Sequence, residues 1–258
     1  MNLCDQINAR REGHVGIVEL DNPPHNYFSI DMLKTINAHL EVFEHDRTVR
    51  AVMLCANGKS FCAGTDLNSR ETKEKRRHKH EINPLYQEAY KLFVFPKPMV
   101  AALAGSAVGG GLGLALTADF RVGCPQAKFA ANFTRLGFHP GFGLSYTLPT
   151  LIGAQHAGLL FYTGRTLRGD EAKSIGLIDL LVEQQDVNAA ALALAQEIAV
   201  CSPRAVQSTR QTMRQGYAEK VWLAMQRESH VQAAQFTSED IAEGVKAMAE
   251  RRPPAFPD

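Results

Sequence analysis

Apolar and polar residues alternate over residues 14–20 (HVGIVEL), the period of two that predicts a half-buried strand. Behind Ser29, a residue type that caps helices, apolar positions recur at helical spacing and predict a helix running to about His45. A mostly apolar run at residues 49–56 (VRAVMLCA) predicts a buried strand closed by the Asn57-Gly58 turn. The pattern then predicts a helix over residues 83–95, ended by Pro96 and Pro98, and a strand from Met99. A glycine-rich turn follows and opens a helix over 112–118, with short strands at 120–123 and 177–183. From Asp186 onward the segments 187–200, 203–215, 221–234 and 240–250 all favour helix, with Ser202 and Ser238 as N-caps. Strands and helices thus alternate first, and a helical tail closes the chain. No internal repeat of fixed period and no low-complexity linker interrupts it.

Composition places this pattern in a globular domain. With 258 residues, 45% of them hydrophobic, the chain buries enough apolar surface for a single large domain or a domain with a helical appendage. The five cysteines lack C-x-x-C spacing, which speaks against a zinc site or a disulfide framework and for a reducing, cytoplasmic setting. The first residues carry Asp5, Arg10 and Arg11 and no long apolar core, unlike a signal peptide, and no stretch of about 18 apolar residues suits a membrane span. A formal net charge of +1 gives no general attraction to nucleic acid.

The chemistry concentrates in two glycine-centred turns, each after a strand-like run: residues 59–67 (KSFCAGTDL) and 104–113 (AGSAVGGGLG). Glycine lets the main chain approach a ligand closely, and free N–H groups at a helix start favour an oxygen that gains negative charge. Two such donors converging make an oxyanion hole.

This pair of turns resembles the crotonase (enoyl-CoA hydratase/isomerase) superfamily, and the likeness runs from about Gly16 to Phe256. Asn22-Pro23-Pro24 with Asn26 resembles the family's first CoA loop, residues 61–67 its first oxyanion loop and Gly109-Gly110-Gly111 its second. Leu136-Gly137 with Pro140-Gly141, then residues 160–177 and 243–252, fall in the family's order. The resemblance implies an α/β fold, a spiral of beta-beta-alpha units over 1–185, with a C-terminal helical trimerisation layer over 186–258 and a homotrimer or homohexamer. It implies Thr65 and Gly110 as the two backbone donors. Ala63 and Leu67, with Gly64 between them, match adenine and pantetheine contacts, Tyr27 stands at a CoA contact, and Lys59 matches a lysine near the CoA phosphates. Asn68 stands where many members carry a second lysine, so the phosphates would turn to residues 70–77 or to Arg251 and Arg252. The implied substrate is an acyl-CoA of the fatty acid metabolism type, with no further cofactor, no metal, no nucleic acid and no membrane.

The usual chemistry is missing. Family hydratases carry one glutamate three residues after the central glycine of the second loop and another just before the Leu-Gly turn; here those places are Gly113 and Phe133. The isomerases need the second of these, and the family's aryl dehalogenases use an aspartate where this chain has Gly141. Neither glycine nor phenylalanine titrates, and between Asp119 and Asp170 there is no acid to take their place. Phe133 is left as a contact to the acyl group. His139, in a loop that in the family borders the acyl pocket, is the remaining candidate for a general base, its alternative being a backbone hydrogen bond. Asn132 and Arg135 are weaker candidates. The basic run at 73–80 (KEKRRHKH) reads first as a solvated helix face, with a lid over the acyl pocket or a CoA phosphate contact as the functional alternative. His78 and His80, two apart, do not share a helix face as a metal pair would. Residues 58–62 (GKSFC) lack the last glycine of a nucleophile elbow, and the glycine-rich loop does not fit G-x-G-x-x-G. The expected function is an acyl-CoA enzyme of the hydratase/isomerase type that stabilises a thioester enolate. Decarboxylation, thioester hydrolysis and a catalytically silent acyl-CoA binder are the alternatives.

Overall fold

The fold is seen in a computed structural model, which describes residues 5–67 and 82–257. Among the described residues ten strands form two sheets. β1 (Ile7–Glu12), β2 (Val15–Leu20), β3 (Ala51–Ala56), β5 (Met99–Leu103), β7 (Phe120–Gly123) and β10 (Leu180–Leu181) make a six-stranded sheet in that order. β4 (Ser60–Cys62), β6 (Ser106–Val108), β8 (Lys128–Ala130) and β9 (Thr166–Arg168) make the second. Pairing is parallel except between β1 and β2 and between β8 and β9. After β3, β5 and β7 the chain steps each time into the second sheet, as β4, β6 and β8. The result is the mixed α/β spiral of beta-beta-alpha steps that the resemblance implies.

The core strands β3 and β5 read as continuous apolar runs because both faces are covered. β1 escaped the sequence reading because it is a polar edge strand: Arg11 and Glu12 are exposed and only Ile7 is buried.

Among the described residues ten helices accompany the strands: α1 (Ile30–His45), α2 (Pro84–Val94), α3 (Gly110–Ala115), α4 (Leu144–Ile152), α5 (Ala154–Thr163), α6 (Gly169–Ser174), α7 (Val187–Val200), α8 (Pro203–Met213), α9 (Tyr217–Gln235) and α10 (Glu239–Glu250). Ser29 caps α1 as expected, its hydroxyl accepting from Met32 N–H. Ser202 and Ser238 precede α8 and α10 but make no side-chain cap; the Ser238 hydroxyl donates backwards to Gln235 O at 2.7 Å. α7 lays Val187, Ala191, Ala195 and Ala199 on the first sheet, so the chain crosses residue 186 without leaving the core. Its alanines, four apart, let helix and sheet approach closely. Asp119 fastens α8 to the end of the sheet, accepting from Met99 N–H, Arg210 Nε and Arg214 at 2.8–2.9 Å. α9 packs on α2 and α4, and α10 on the 3-10 turn Thr134–Leu136. Among the described residues no single helix is long and apolar enough to cross a membrane.

Candidate active site

The first glycine turn is braced by residues 22–28, between β2 and α1. Asn26 is fully buried; its Nδ2 donates to Asn57 O and Ser60 O, both at 2.7 Å, and its Oδ1 accepts from Asn22 N–H at 2.8 Å. Ala63 N–H donates to His25 O and Phe28 N–H to Gly64 O, both at 2.9 Å. Gly64 takes φ +85°, a left-handed conformation open to glycine. The segment that resembles a CoA loop thereby fixes the segment that resembles an oxyanion loop.

In the second turn Gly109, at φ +55° and ψ −124°, reverses the chain between β6 and α3, and its N–H is held by Ala130 O at 2.8 Å. α3 begins at Gly110, two residues before the expected start, because its first turn is built of glycines with little helix propensity. These glycines are required by contact. A Cβ on Gly111 would stand 1.9 Å from Cys62 O, and one on Gly64 would stand 3.2 Å from Gly110 N. The two turns therefore touch backbone to backbone. Neither Thr65 N–H nor Gly110 N–H is engaged by another described residue.

Beside this contact lies a cavity of about 1010 Å³, at the upper end of the range for small-molecule sites. Thr65, Gly110, Tyr27, Ala63, Gly64, Leu67, Phe133 and Asn132 all line it. Three other expected residues do not. Lys59 is exposed on the turn into β4, Arg135 is exposed with its stem against Gly164, and His139 belongs to the loop behind the wall. The His139 Nδ1 lies 2.7 Å from Pro140 O, its N–H donates to Gln235 Oε1 at 2.7 Å, and its carbonyl accepts from Gln232 Nε2 at 2.8 Å. The imidazole is tied to its own loop, the backbone role set out above as the alternative to a base. Arg252 is committed to Glu243 and Glu250, at 2.5–2.9 Å. Asn68 and the basic run at 70–80 lie outside the described residues.

The two places without a carboxylate are filled by aromatic rings. A Cβ on Gly113 would stand 2.7 Å from both Cβ and Cδ1 of Phe142, and Phe133 packs edge-to-face on Phe138 at 5.5 Å. Gly141 is covered by the Tyr86 hydroxyl, 2.1 Å from where its Cβ would be. Among the described residues that line the cavity, Asp66 is the one carboxylate. Burial, then the charge of Asp66, raises the pKa of Tyr27. Burial pushes the Cys62 thiol up to about 12, which keeps it an inert neutral group in the first turn. Among the described residues no cluster of three or more His, Cys, Asp or Glu could hold a metal ion.

Several site residues were not singled out from the sequence: Phe28, Tyr86, Phe142, Glu228 and Gln232. Tyr86 donates to Gln232 Oε1 at 2.8 Å, and burial holds its phenol well above the ordinary range, hence neutral. Glu228, fully buried, accepts from Gly143 N–H at 2.7 Å, from Ser145 N–H at 2.9 Å and from the Ser145 hydroxyl at 2.6 Å; burial raises its pKa. One signal for these was present. Glu228, Ser229 and Gln232 fall on the same helical stripe as Val221 and Met225, so α9 carries polar groups on its buried face.

Comparison with known proteins agrees with this fold. The family model described as enoyl-CoA hydratase/isomerase matches residues 10–258. The short-chain-enoyl-CoA hydratase of Clostridium acetobutylicum is 32% identical over 253 residues, covering 96% of each chain. The mitochondrial methylglutaconyl-CoA hydratase of Mus musculus is 33% identical over 240 residues, 90% of this chain and 75% of that one. Among solved structures, an enoyl-CoA hydratase/isomerase from Pseudoalteromonas atlantica T6c superposes with a TM-score of 0.87 at 29% identity, covering 98% of this chain and all of that one.

Proposed function

Because this chain belongs to the enoyl-CoA hydratase/isomerase family, we propose that it binds an acyl-CoA thioester, polarises the carbonyl with the N–H groups of Thr65 and Gly110, and stabilises the resulting enolate. The observation that carries this reading is the backbone contact of the two glycine turns at the cavity wall, so close that a Cβ on Gly64 would stand 3.2 Å from Gly110 N. Ala63, Gly64, Leu67 and Tyr27 are assigned to CoA and Phe133 to the acyl group. Lys59, exposed beside the first turn, is assigned to the phosphates from outside the cavity. Exposed apolar side chains such as Leu159 and Tyr162 on α5 and Met213 on α8 support a homotrimer or homohexamer as the working assembly.

A second reading follows from Gly113 and Phe133. Hydration needs a group that takes a proton from water and one that returns a proton to the α carbon, and neither residue titrates. Decarboxylation or another reaction that forms the enolate without activated water needs only the two backbone donors. A catalytically silent binder would bind CoA and turn over nothing.

Two measurements test these readings. A ligand that binds the native state alone stabilises it by about 2.7 kcal/mol at a hundred times its Kd, so CoA or an acyl-CoA should raise the melting temperature by several degrees. A panel of saturated, 2-enoyl and malonyl-type CoA thioesters, followed by mass spectrometry, should then give one product class. No thermal shift at millimolar CoA would refute the binding half, and binding without turnover would leave the silent binder.

A further inference from the structure

Phe142 occupies an unusual position. It is a buried, bulky residue at φ +63°, in the left-handed region where glycine is the low-strain choice. Its ring lies against Phe28 at 5.3 Å and Phe93 at 6.5 Å. It stands over Gly113, and its Cδ2 is 3.8 Å from where a Cβ on Gly110 would be. The turn that carries it is clamped on both sides. Before it, the Tyr86 hydroxyl and Gln232 Nε2 press on Gly141, and Gln232 holds His139 O. After it, Glu228 holds Gly143 N–H. Such clamping over-determines a strained residue and fixes one ring position.

We propose that Phe142 is the specificity-determining residue of this cleft. Its Cβ and ring take the volume that a side chain at position 113 would need, and the ring makes the wall beside the Gly110 donor an aromatic surface with no place for a water-activating carboxylate. The cleft then selects acyl-CoA thioesters whose enolate forms without addition of water. This inference rests on the acyl-CoA reading above. The residues at 113 and 142 act as one unit: side-chain volume withheld at the first is supplied by the second.

The experiment is a mutant cycle on the full chain. Gly113→Ala should lower the melting temperature by about 3–10 °C, the scale of overpacking in a domain of this size. In a Phe142→Gly background, which removes the Cβ as well as the ring, the same substitution should cost less than half as much. A second arm reads chemistry. In hydration the oxygen of water bonds to the β carbon of the enoyl group and a proton passes by way of the carboxylate to the α carbon. The Gly113→Glu/Phe142→Gly double variant should therefore hydrate crotonyl-CoA at least about 100-fold faster than wild type, while Gly113→Glu alone gains nothing. Equal thermal cost of Gly113→Ala in both backgrounds would overturn the proposal, and the alanine cycle decides it even where the glutamate variants do not fold. A folded, CoA-binding double variant without gain, or an equal gain from Gly113→Glu alone, would overturn it as well. Failure of the acyl-CoA reading itself has a different mark, the absence of any CoA binding by the wild type.

Discussion

Replacing Gly110 by proline removes the one N–H on which the proposed thioester polarisation by the second turn depends. Gly110 is the first residue of α3, a place where a helix has no internal use for that N–H and where proline is tolerated. A substitution there also adds a Cβ, which would meet Phe28 Cζ at 2.7 Å, the tip of a ring only 3% exposed. Gly110→Ala adds the same Cβ and keeps the N–H. The ratio of the two variants therefore cancels the Cβ contact with Phe28 and leaves the loss of the N–H, with melting temperature and CoA affinity reading the effect of the remaining ring carbons of proline. Loss of one preorganised donor costs about 2.7–4 kcal/mol in the barrier, so kcat for Gly110→Pro should fall about 100- to 1000-fold below Gly110→Ala. The assay is turnover of the responsive thioester from the CoA panel, with melting temperature and CoA affinity measured on both variants. A Gly110→Pro variant that folds, binds CoA and turns over at the rate of Gly110→Ala would refute thioester polarisation by Gly110.

Hydration of crotonyl-CoA by the wild type should lie orders of magnitude below that of an enzyme with both carboxylates, since each acid or base group contributes about a hundred- to ten-thousand-fold; rapid hydration in a spectrophotometric assay would show that acid and base come from elsewhere. His139→Asn should keep turnover within about threefold, because the imidazole faces Pro140 O and not the cavity; loss of activity in a folded variant would return His139 to the chemistry. Glu228→Ala leaves two buried N–H groups, of Gly143 and Ser145, without their acceptor, at about 1–3 kcal/mol each, and urea denaturation should show a lower midpoint with an unchanged slope. Glu243 is held at about 2 by its hydrogen bonds to Arg252 and to Ala255 N–H, below its ordinary 4.5. A depressed acid stabilises the fold above its unfolded pKa and loses that contribution as pH falls. The gap in melting temperature between wild type and Glu243→Gln should be full at neutral pH and close between about pH 4.5 and 2; a gap independent of pH would detach it from this ion pair.

What was legible in the sequence and what was not divides along a physical line. β3 and β5 announced themselves because burial on both faces leaves an unbroken apolar run, and α1 because cap and period agree. β4, β6, β8 and β9 have three residues each, too few to carry a period, and they are strands only because they pair with one another across long stretches of chain. Ser202 and Ser238 have the right residue type in the right place, yet the bond they were expected to make depends on a rotamer that sequence does not fix. The two glycine turns were readable because their requirement is local: a left-handed φ at Gly64 and Gly109, and no Cβ at Gly111. Phe142 was not, because its role is set by what lies opposite. Motif comparison reads positions one at a time and records Gly113 as a lost carboxylate. In the folded chain the volume above Gly113 is held by a ring contributed 29 positions later, clamped by Tyr86, Gln232 and Glu228 from two other helices. An absence in the sequence is thus a presence in the structure, and restoring a glutamate at 113 without removing that ring would add a steric clash rather than a catalyst.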